Sequence, residues 1–215
     1  MQSAHRSRRV AAAEPEESLL YYVDHERPRE STMPIASLAI REELGDIAAF
    51  IGVIWGVFVV SRFIPRLDCY GVAPRTLRGL AGIPAMPFLH KDLNHILGNT
   101  FPLFILLALL VGSRAQPWQV IVELVLLGGL LLWIFGRSKV HIGASGLIFA
   151  LIAFLIVSGF LEKRLFSFAV AILVGFIYGG TLISGVLPRF KSYISWEGHL
   201  CCAVAGGIVA YALTS

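Results

Sequence analysis

The chain has 215 residues, of which 56% are hydrophobic and 15% charged, whereas soluble domains carry roughly 25% charged residues. This composition excludes an ordinary soluble domain and predicts an integral membrane protein. The formal net charge is +4, but the basic residues are scattered beside apolar segments, which indicates membrane anchors rather than a nucleic-acid surface.

The first 45 residues differ from the rest of the chain. They carry six Arg against eight acidic residues, include Pro15, Pro28 and Pro34, and show no sustained hydrophobic period. Segments of this composition bury too little apolar surface to fold by themselves. We therefore predict a flexible cytoplasmic tail over residues 1–45 and a single membrane domain over residues 46–215.

Six apolar stretches then follow, each near the roughly 17 to 25 residues that a helix needs to cross a bilayer. Backbone groups in lipid must be hydrogen-bonded within their own segment, so helices are the expected form. The predicted fold class is thus an all-α membrane protein, a bundle of six transmembrane helices. The six predicted spans are residues 47–64, 95–112, 117–135, 142–161, 165–187 and 198–214.

The connection between the first two spans, residues 65–94, is much longer than the others. It holds 30 residues, among them four prolines and many apolar side chains. Connections longer than about 12 to 15 residues are usually functional or disordered. Because this one is too apolar for free solution, we predict that it is a long interfacial loop lying partly in the membrane interface.

A serine near the start of the fourth span stands between small residues, in Gly143-Ala144-Ser145-Gly146. A serine protease needs a nucleophile, a base for its proton and donors for the oxyanion. Small neighbours leave Ser145 uncrowded, and the N-terminal end of a helix favours developing negative charge. The same pattern is a common packing motif between membrane helices, and for this motif alone packing is the more frequent role.

His199 begins the last span and is the candidate base. Gly206 and Gly207 follow on or near its face and would allow a close approach to another helix. A histidine at a helix end can equally be a solvated or hydrogen-bonded structural residue. Phe149 lies four residues after Ser145 on the same helix face, from which its ring can stack on the imidazole.

Two further polar residues, His95 and Asn99, are four positions apart and so share one side of the second span. Both can donate hydrogen bonds, which suits stabilisation of an oxyanion, although a polar pair can also bond two helices together. Histidine clusters raise the alternative of a zinc site. No His-Glu-x-x-His motif is present and the spacing of His90 and His95 does not fit one helical face, so we expect neither a metal nor a cofactor.

Taken together, these residues resemble the rhomboid family of intramembrane serine proteases, in its simple six-helix bacterial form. The resemblance covers about residues 46–215. It rests on four short motifs: His90-Lys-Asp-Leu-Asn-His95-Ile-Leu-Gly-Asn99, Trp133-Ile-Phe-Gly-Arg137, Gly143-Ala144-Ser145-Gly146 and Ser195-Trp-Glu-Gly-His199.

The resemblance implies a catalytic dyad of Ser145 and His199 without an acid, and oxyanion support from His95, Asn99 and the Ser145 backbone N–H. It also implies cleavage of single-span membrane proteins in or near their transmembrane segments, in a bacterial inner membrane with the N-terminus cytoplasmic. No nucleic-acid partner is expected, and no oligomeric state is predicted. Four residues would support the site: Gly143, Gly146, Phe149 and His90.

Two positions depart from the family pattern, because Cys202 stands where members often have glycine and Phe149 where they often have tyrosine. Asp92 and Glu197 are predicted to be interfacial charges rather than a third catalytic residue. Two rival classes stay open. A catalytically silent rhomboid-like protein would bind membrane helices without cutting them, but is expected to lack the serine or the histidine. A small transporter would usually show an internal repeat, and no convincing one is found.

Overall fold

The computed structural model describes residues 35–64, 66–114, 116–188 and 195–214. Residues 40–215 belong to one compact unit. Two short 3₁₀ helices, Leu67–Tyr70 and Met86–Phe88, lie in the connection between the first two long helices. The described ranges form seven α-helices: α1 (Ile35–Ser61), α2 (Leu77–Ala85), α3 (Leu93–Ser113), α4 (Pro117–Phe135), α5 (Ser145–Leu161), α6 (Leu165–Val186) and α7 (Trp196–Thr214).

Five of these helices are long and apolar enough to cross a membrane, namely α1 from Glu42 onward, α3, α4, α6 and α7. α5 is also apolar but has only 17 residues, the lower limit for a transmembrane helix. The long helices expose large apolar side chains, which is the surface expected of helices in lipid. The predicted all-α, multi-helix fold is therefore confirmed, with five candidate membrane spans and one shorter apolar helix. The sixth predicted span, at α5, stays a prediction. Examples of the exposed side chains are Val53, Phe101, Val122, Phe176 and Val204.

The first helix begins earlier than the sequence predicts. α1 starts at Ile35, so residues 35–45 are helical where a flexible tail is predicted. Hydropathy marks the point at which a helix enters lipid, and charged residues such as Glu and Arg continue a helix beyond that point at little cost. Residues 1–34 of the predicted tail lie outside the described residues.

α5 lies at the centre of the bundle, where it packs mainly against α7 and α6 and also against α3 and α4. Its residues 146–155 are all buried. A Cβ at Gly206 of α7 would come within 2.2 Å of the Ala150 carbonyl oxygen, whereas nothing lies within 4 Å of a Cβ at Gly207. Close packing of the last helix therefore depends on Gly206 and not on Gly207.

The long connection between α1 and α3 is folded onto the turn that precedes α5. Val72 pairs with His141 through two backbone hydrogen bonds of 3.0 and 2.9 Å. The Arg75 guanidinium donates to two carbonyl groups at the end of α4, and the Gly143 N–H donates to the Met86 carbonyl over 2.9 Å. The connection therefore holds the turn before α5 in place, and its position in the membrane interface stays a prediction.

Candidate active site

Ser145 and His199 meet at the N-terminal ends of two adjacent helices. Ser145 is the first residue of α5, and His199 lies in the first turn of α7. The Ser145 Oγ is 3.1 Å from the His199 Nε2, which is hydrogen-bonding distance. The two residues are 54 positions apart in sequence, and the packing of α7 on α5 brings their side chains together.

The second ring nitrogen of His199 has a partner of its own. Nδ1 lies 3.2 Å from the Gly185 carbonyl oxygen, near the C-terminal end of α6. A carbonyl oxygen accepts and cannot donate, so in the neutral ring Nδ1 carries the hydrogen. Nε2 is then unprotonated and accepts the hydrogen bond from the Ser145 hydroxyl. An imidazole in this state can take the proton of the serine.

Phe149 fixes the plane of this imidazole. Its ring stacks on that of His199 with centroids 4.0 Å apart and an angle of 3° between the planes. Phe149 is itself buried in the helix core, one turn after Ser145. The stacking needs only the aromatic ring, so phenylalanine suffices where family members often carry tyrosine.

A cavity of about 590 Å³ has Ser145, His199 and His95 in its wall, together with several charged side chains from the loops. A cavity of this size and polarity can hold water, which is the second substrate of a hydrolase. The His95 ring fits in this wall because Gly143 has no side chain. A Cβ at residue 143 would come within 2.6 Å of the His95 Cε1 and Nε2 atoms. Gly143 also has a φ of 111°, a backbone conformation that favours glycine.

Asn99 lies one turn after His95 on α3 and bonds to His90. Its Nδ2 donates to the His90 Nε2 over 3.1 Å, and the Ala144 N–H donates to the same nitrogen over 3.4 Å. Burial and the nearby His95 lower the pKa of His90 to about 4, so this ring is neutral near pH 7 and can accept both bonds. Asn99 is not among the described residues that line the cavity, and its oxyanion role stays a prediction.

Gly146 and Cys202 fit together on the buried side of the site. A Cβ at Gly146 would lie 3.0 Å from the Cys202 Sγ, and a Cβ at Gly128 of α4 would lie 3.0 Å from the same atom. Two glycines therefore leave the space that the Cys202 thiol fills. This explains how α7 accommodates a cysteine where family members often have glycine.

One ion pair beside the site was not anticipated from the sequence. Glu197 is buried, and its two carboxylate oxygens accept hydrogen bonds from the Nε and Nη2 atoms of Arg137 over 2.7 and 2.9 Å. The bond to the carboxylate raises the pKa of the Arg137 guanidinium. Glu197, predicted to be an interfacial charge, is thus buried in the protein, where the arginine compensates its burial. The only signal in the sequence was a pair of opposite charges placed shortly before Ser145 and His199.

Two other polar residues stabilise the loops around the site. Asp92 accepts a hydrogen bond from the His95 backbone N–H over 2.9 Å and so caps α3. The two ring nitrogens of His141 lie 2.6 Å from the Ser195 Oγ and 3.1 Å from the Arg137 carbonyl oxygen, and burial lowers the pKa of this ring. Among the described residues, no three His, Cys, Asp or Glu side chains form a group that could hold a metal ion.

Comparison with known proteins agrees with these features. The rhomboid domain matches residues 79–215, a range that contains His95, Asn99, Ser145 and His199. An uncharacterized protein of Mycobacterium tuberculosis is 36% identical over 180 residues, which cover 79% of this chain and 74% of that protein. An uncharacterized protein of Mycobacterium leprae is 32% identical over 212 residues, or 94% of this chain and 80% of that protein. The "Putative rhomboid protein L523" of Acanthamoeba polyphaga mimivirus is 33% identical over 125 residues, or 55% of this chain and 67% of that protein. The chain therefore belongs to the rhomboid family.

Proposed function

We propose that this chain is an intramembrane serine endopeptidase in which Ser145 is the nucleophile and His199 the general base. The observation that carries the proposal is the 3.1 Å contact between the Ser145 Oγ and the His199 Nε2. Two further contacts support it, because the Gly185 carbonyl fixes the tautomer of the ring and Phe149 fixes its plane. A serine–histidine pair held only for packing would need neither constraint.

The reaction proceeds through an acyl-enzyme in two steps. In the first step, the Ser145 Oγ attacks the carbonyl carbon of the substrate while the His199 Nε2 takes the hydroxyl proton. The imidazolium gives this proton to the leaving amine as the peptide bond breaks. In the second step, His199 takes a proton from water, whose oxygen attacks the acyl carbon, and returns it to the Ser145 Oγ as the new carboxyl end leaves.

The developing oxyanion is held by the Ser145 backbone N–H and the His95 ring, with Asn99 as a further donor. The first N–H groups of a helix have no partner within that helix, so the N–H of the first residue of α5 is available. Gly143 lets the His95 ring lie against the same turn. One donor of this kind contributes roughly 10² to 10³ to the rate.

Counting α5 as a sixth membrane span defines how deep Ser145 lies in the membrane. With six spans, both ends of the chain lie on the same side, which we assign to the cytoplasm. At about 1.5 Å per residue α5 is about 25 Å long, shorter than a bilayer core of about 30 Å. The serine at its start then lies below the outer membrane surface, within reach of a transmembrane segment that has unwound locally. Mycobacterial relatives favour a bacterial cell membrane as the location.

Paired activity measurements test this function. Wild type and the Ser145→Ala and His199→Ala variants are reconstituted in liposomes with a panel of single-span membrane proteins, and fragments are identified by mass spectrometry. A fluorophosphonate, which reacts covalently with activated serines, is applied in parallel without substrate. Ser158→Ala is the matched control, because the hydroxyl bond described for this buried serine of α5 stays within its own helix, to the Leu155 carbonyl.

We expect wild type and the control to react with the fluorophosphonate and to cleave at least one substrate, and both site variants to do neither. Wild type that is folded but unreactive towards the fluorophosphonate would contradict the proposal. That result would favour the catalytically silent alternative, a protein that binds membrane helices.

A further inference from the structure

We propose that the Gly185 backbone carbonyl is the positioning group of the dyad, and that through this carbonyl the C-terminal end of α6 determines whether His199 can act as a base. The inference rests on the proposed function of Ser145 and His199. It adds a connection between the base and a third helix.

The Gly185 carbonyl is available because of its place in α6. The last four carbonyl groups of a helix have no N–H partner within the helix, and α6 ends at Val186. Pro188, three residues after Gly185, has no N–H and cannot close a 3₁₀ turn onto this carbonyl either. The Nδ1–H of His199 is the partner that the structure provides, over 3.2 Å.

Only glycine fits at this position. A Cβ at residue 185 would come within 2.2 and 2.5 Å of the Phe149 Cζ and Cε1 atoms, and within 3.4 Å of the His199 Nδ1. Because the Phe149 ring is stacked on the imidazole, a side chain here would push the end of α6 away from both rings. Other glycines of α6 carry no such requirement, since nothing lies within 4 Å of a Cβ at Gly179 or Gly180.

The Gly185 carbonyl favours the required form of His199 both when the imidazole is neutral and when it is protonated. In the neutral ring it holds the hydrogen on Nδ1, so that Nε2 faces the serine as an acceptor. In the other tautomer Nε2 would carry the hydrogen and could not take the serine proton. When the ring becomes a cation during the reaction, the partial negative charge at the C-terminal end of a helix stabilises it.

No acidic side chain duplicates this contact in the described residues. Glu197 is the nearest candidate in sequence, two positions before His199, but both of its oxygens are bonded to Arg137. The orientation of His199 therefore depends on the position of the α6 end. If this end moves outward, the imidazole loses its only described Nδ1 partner and the serine loses an oriented base.

Two substitutions on the same helix test the inference. In Gly185→Ala, we expect the rate of fluorophosphonate reaction at Ser145 and the turnover of a membrane substrate to fall together by 10-fold or more. Gly180→Ala is the matched control and should leave both rates unchanged. ¹⁵N NMR of histidine-labelled protein, with the His199 signals identified by their loss in His199→Ala, should report Nδ1–H in wild type and a tautomer mixture in Gly185→Ala.

A backbone change tests the acceptor without adding a side chain. Replacing Val186 by the corresponding α-hydroxy acid converts the Gly185 carbonyl from an amide to an ester, which is a weaker acceptor. We expect this variant to react with the fluorophosphonate several-fold more slowly than wild type, even if Gly185→Ala does not fold.

Two results would overturn the inference. One is an unchanged fluorophosphonate rate in the ester variant. The other is a Gly185→Ala variant whose fluorophosphonate rate is that of wild type while substrate turnover falls, since the α6 end would then act only on substrate entry. Failure of the proposed function gives a different result, namely a wild type that does not react at all.

Discussion

Substitution of Gly143 by alanine tests the geometry of the proposed oxyanion site. The backbone φ of 111° is a conformation that costs an L-residue about 1 to 3 kcal/mol. In addition, the new Cβ would lie 2.6 Å from the His95 ring, so the ring must move by at least about 0.4 Å to reach 3.0 Å, the shortest contact that Cβ atoms make. Since a displacement of about 1 Å at a reacting centre can cost 10²-fold, we expect turnover to fall 10- to 100-fold.

Three measurements separate this effect from simple unfolding. Turnover of a membrane substrate and the fluorophosphonate rate at Ser145 are compared for folded protein isolated by size exclusion, and thermal unfolding is recorded in the same detergent. Gly98→Ala on α3 is the matched control, because nothing lies within 4 Å of a Cβ at this position and Gly-to-Ala in a helix interior stabilises by up to about 1 kcal/mol. A Gly143→Ala protein that reacts and cleaves at wild-type rates would refute the placement of His95.

Two further expectations concern the surroundings of the site. Glu197→Gln and Arg137→Gln should each slow the fluorophosphonate reaction at Ser145. Because the ion pair acts as a unit, the double variant should react no more slowly than the slower of the two single variants. Losses in rate that add up in the double variant would contradict this expectation. For His90, the pKa is lowered from 6.5 to about 4, so between these values the unfolded chain binds a proton that the folded chain does not. The free energy of unfolding should therefore decrease by up to about 3 kcal/mol as pH falls from about 6.5 to about 4. Unfolding curves of wild type and His90→Phe across this range check the result: the decrease should be smaller in the variant by about this amount, while the part due to the lowered pKa of His141 remains in both proteins.

The long helices could be predicted because the thickness of the bilayer sets the length of a transmembrane helix, and this length appears in the sequence as an apolar segment. The predicted span at residues 117–135 coincides with α4, and the predicted span at residues 165–187 exceeds α6 by one residue. The start of α1 could not be predicted in this way, because residues 35–45 continue the helix outside the apolar segment. Helix formation and membrane insertion depend on different properties of the chain, and hydropathy reports only the second.

At the site, the side chains that act as donors and acceptors could be proposed from their spacing, but their partners could not. The resemblance implies a dyad of Ser145 and His199, and the side chains of these two residues are in contact in the structure. The bond between Asn99 and His90 depends on how the loop before α3 folds back, which no local pattern encodes. A backbone group such as the Gly185 carbonyl has no sequence signature, because every residue carries one.

The bundle also explains how a serine–histidine pair can be oriented without a carboxylate. A buried carboxylate must be compensated by a cation, or its desolvation destabilises the fold. Glu197 illustrates this requirement, since its burial is matched by Arg137, to which both of its oxygens are bonded. A helix-end carbonyl orients the ring while adding no net charge to the apolar interior. In a bundle surrounded by lipid, the neutral Gly185 carbonyl is therefore the less costly partner for His199. The contact connects the proposed base to α6, a helix that carries neither residue of the proposed dyad.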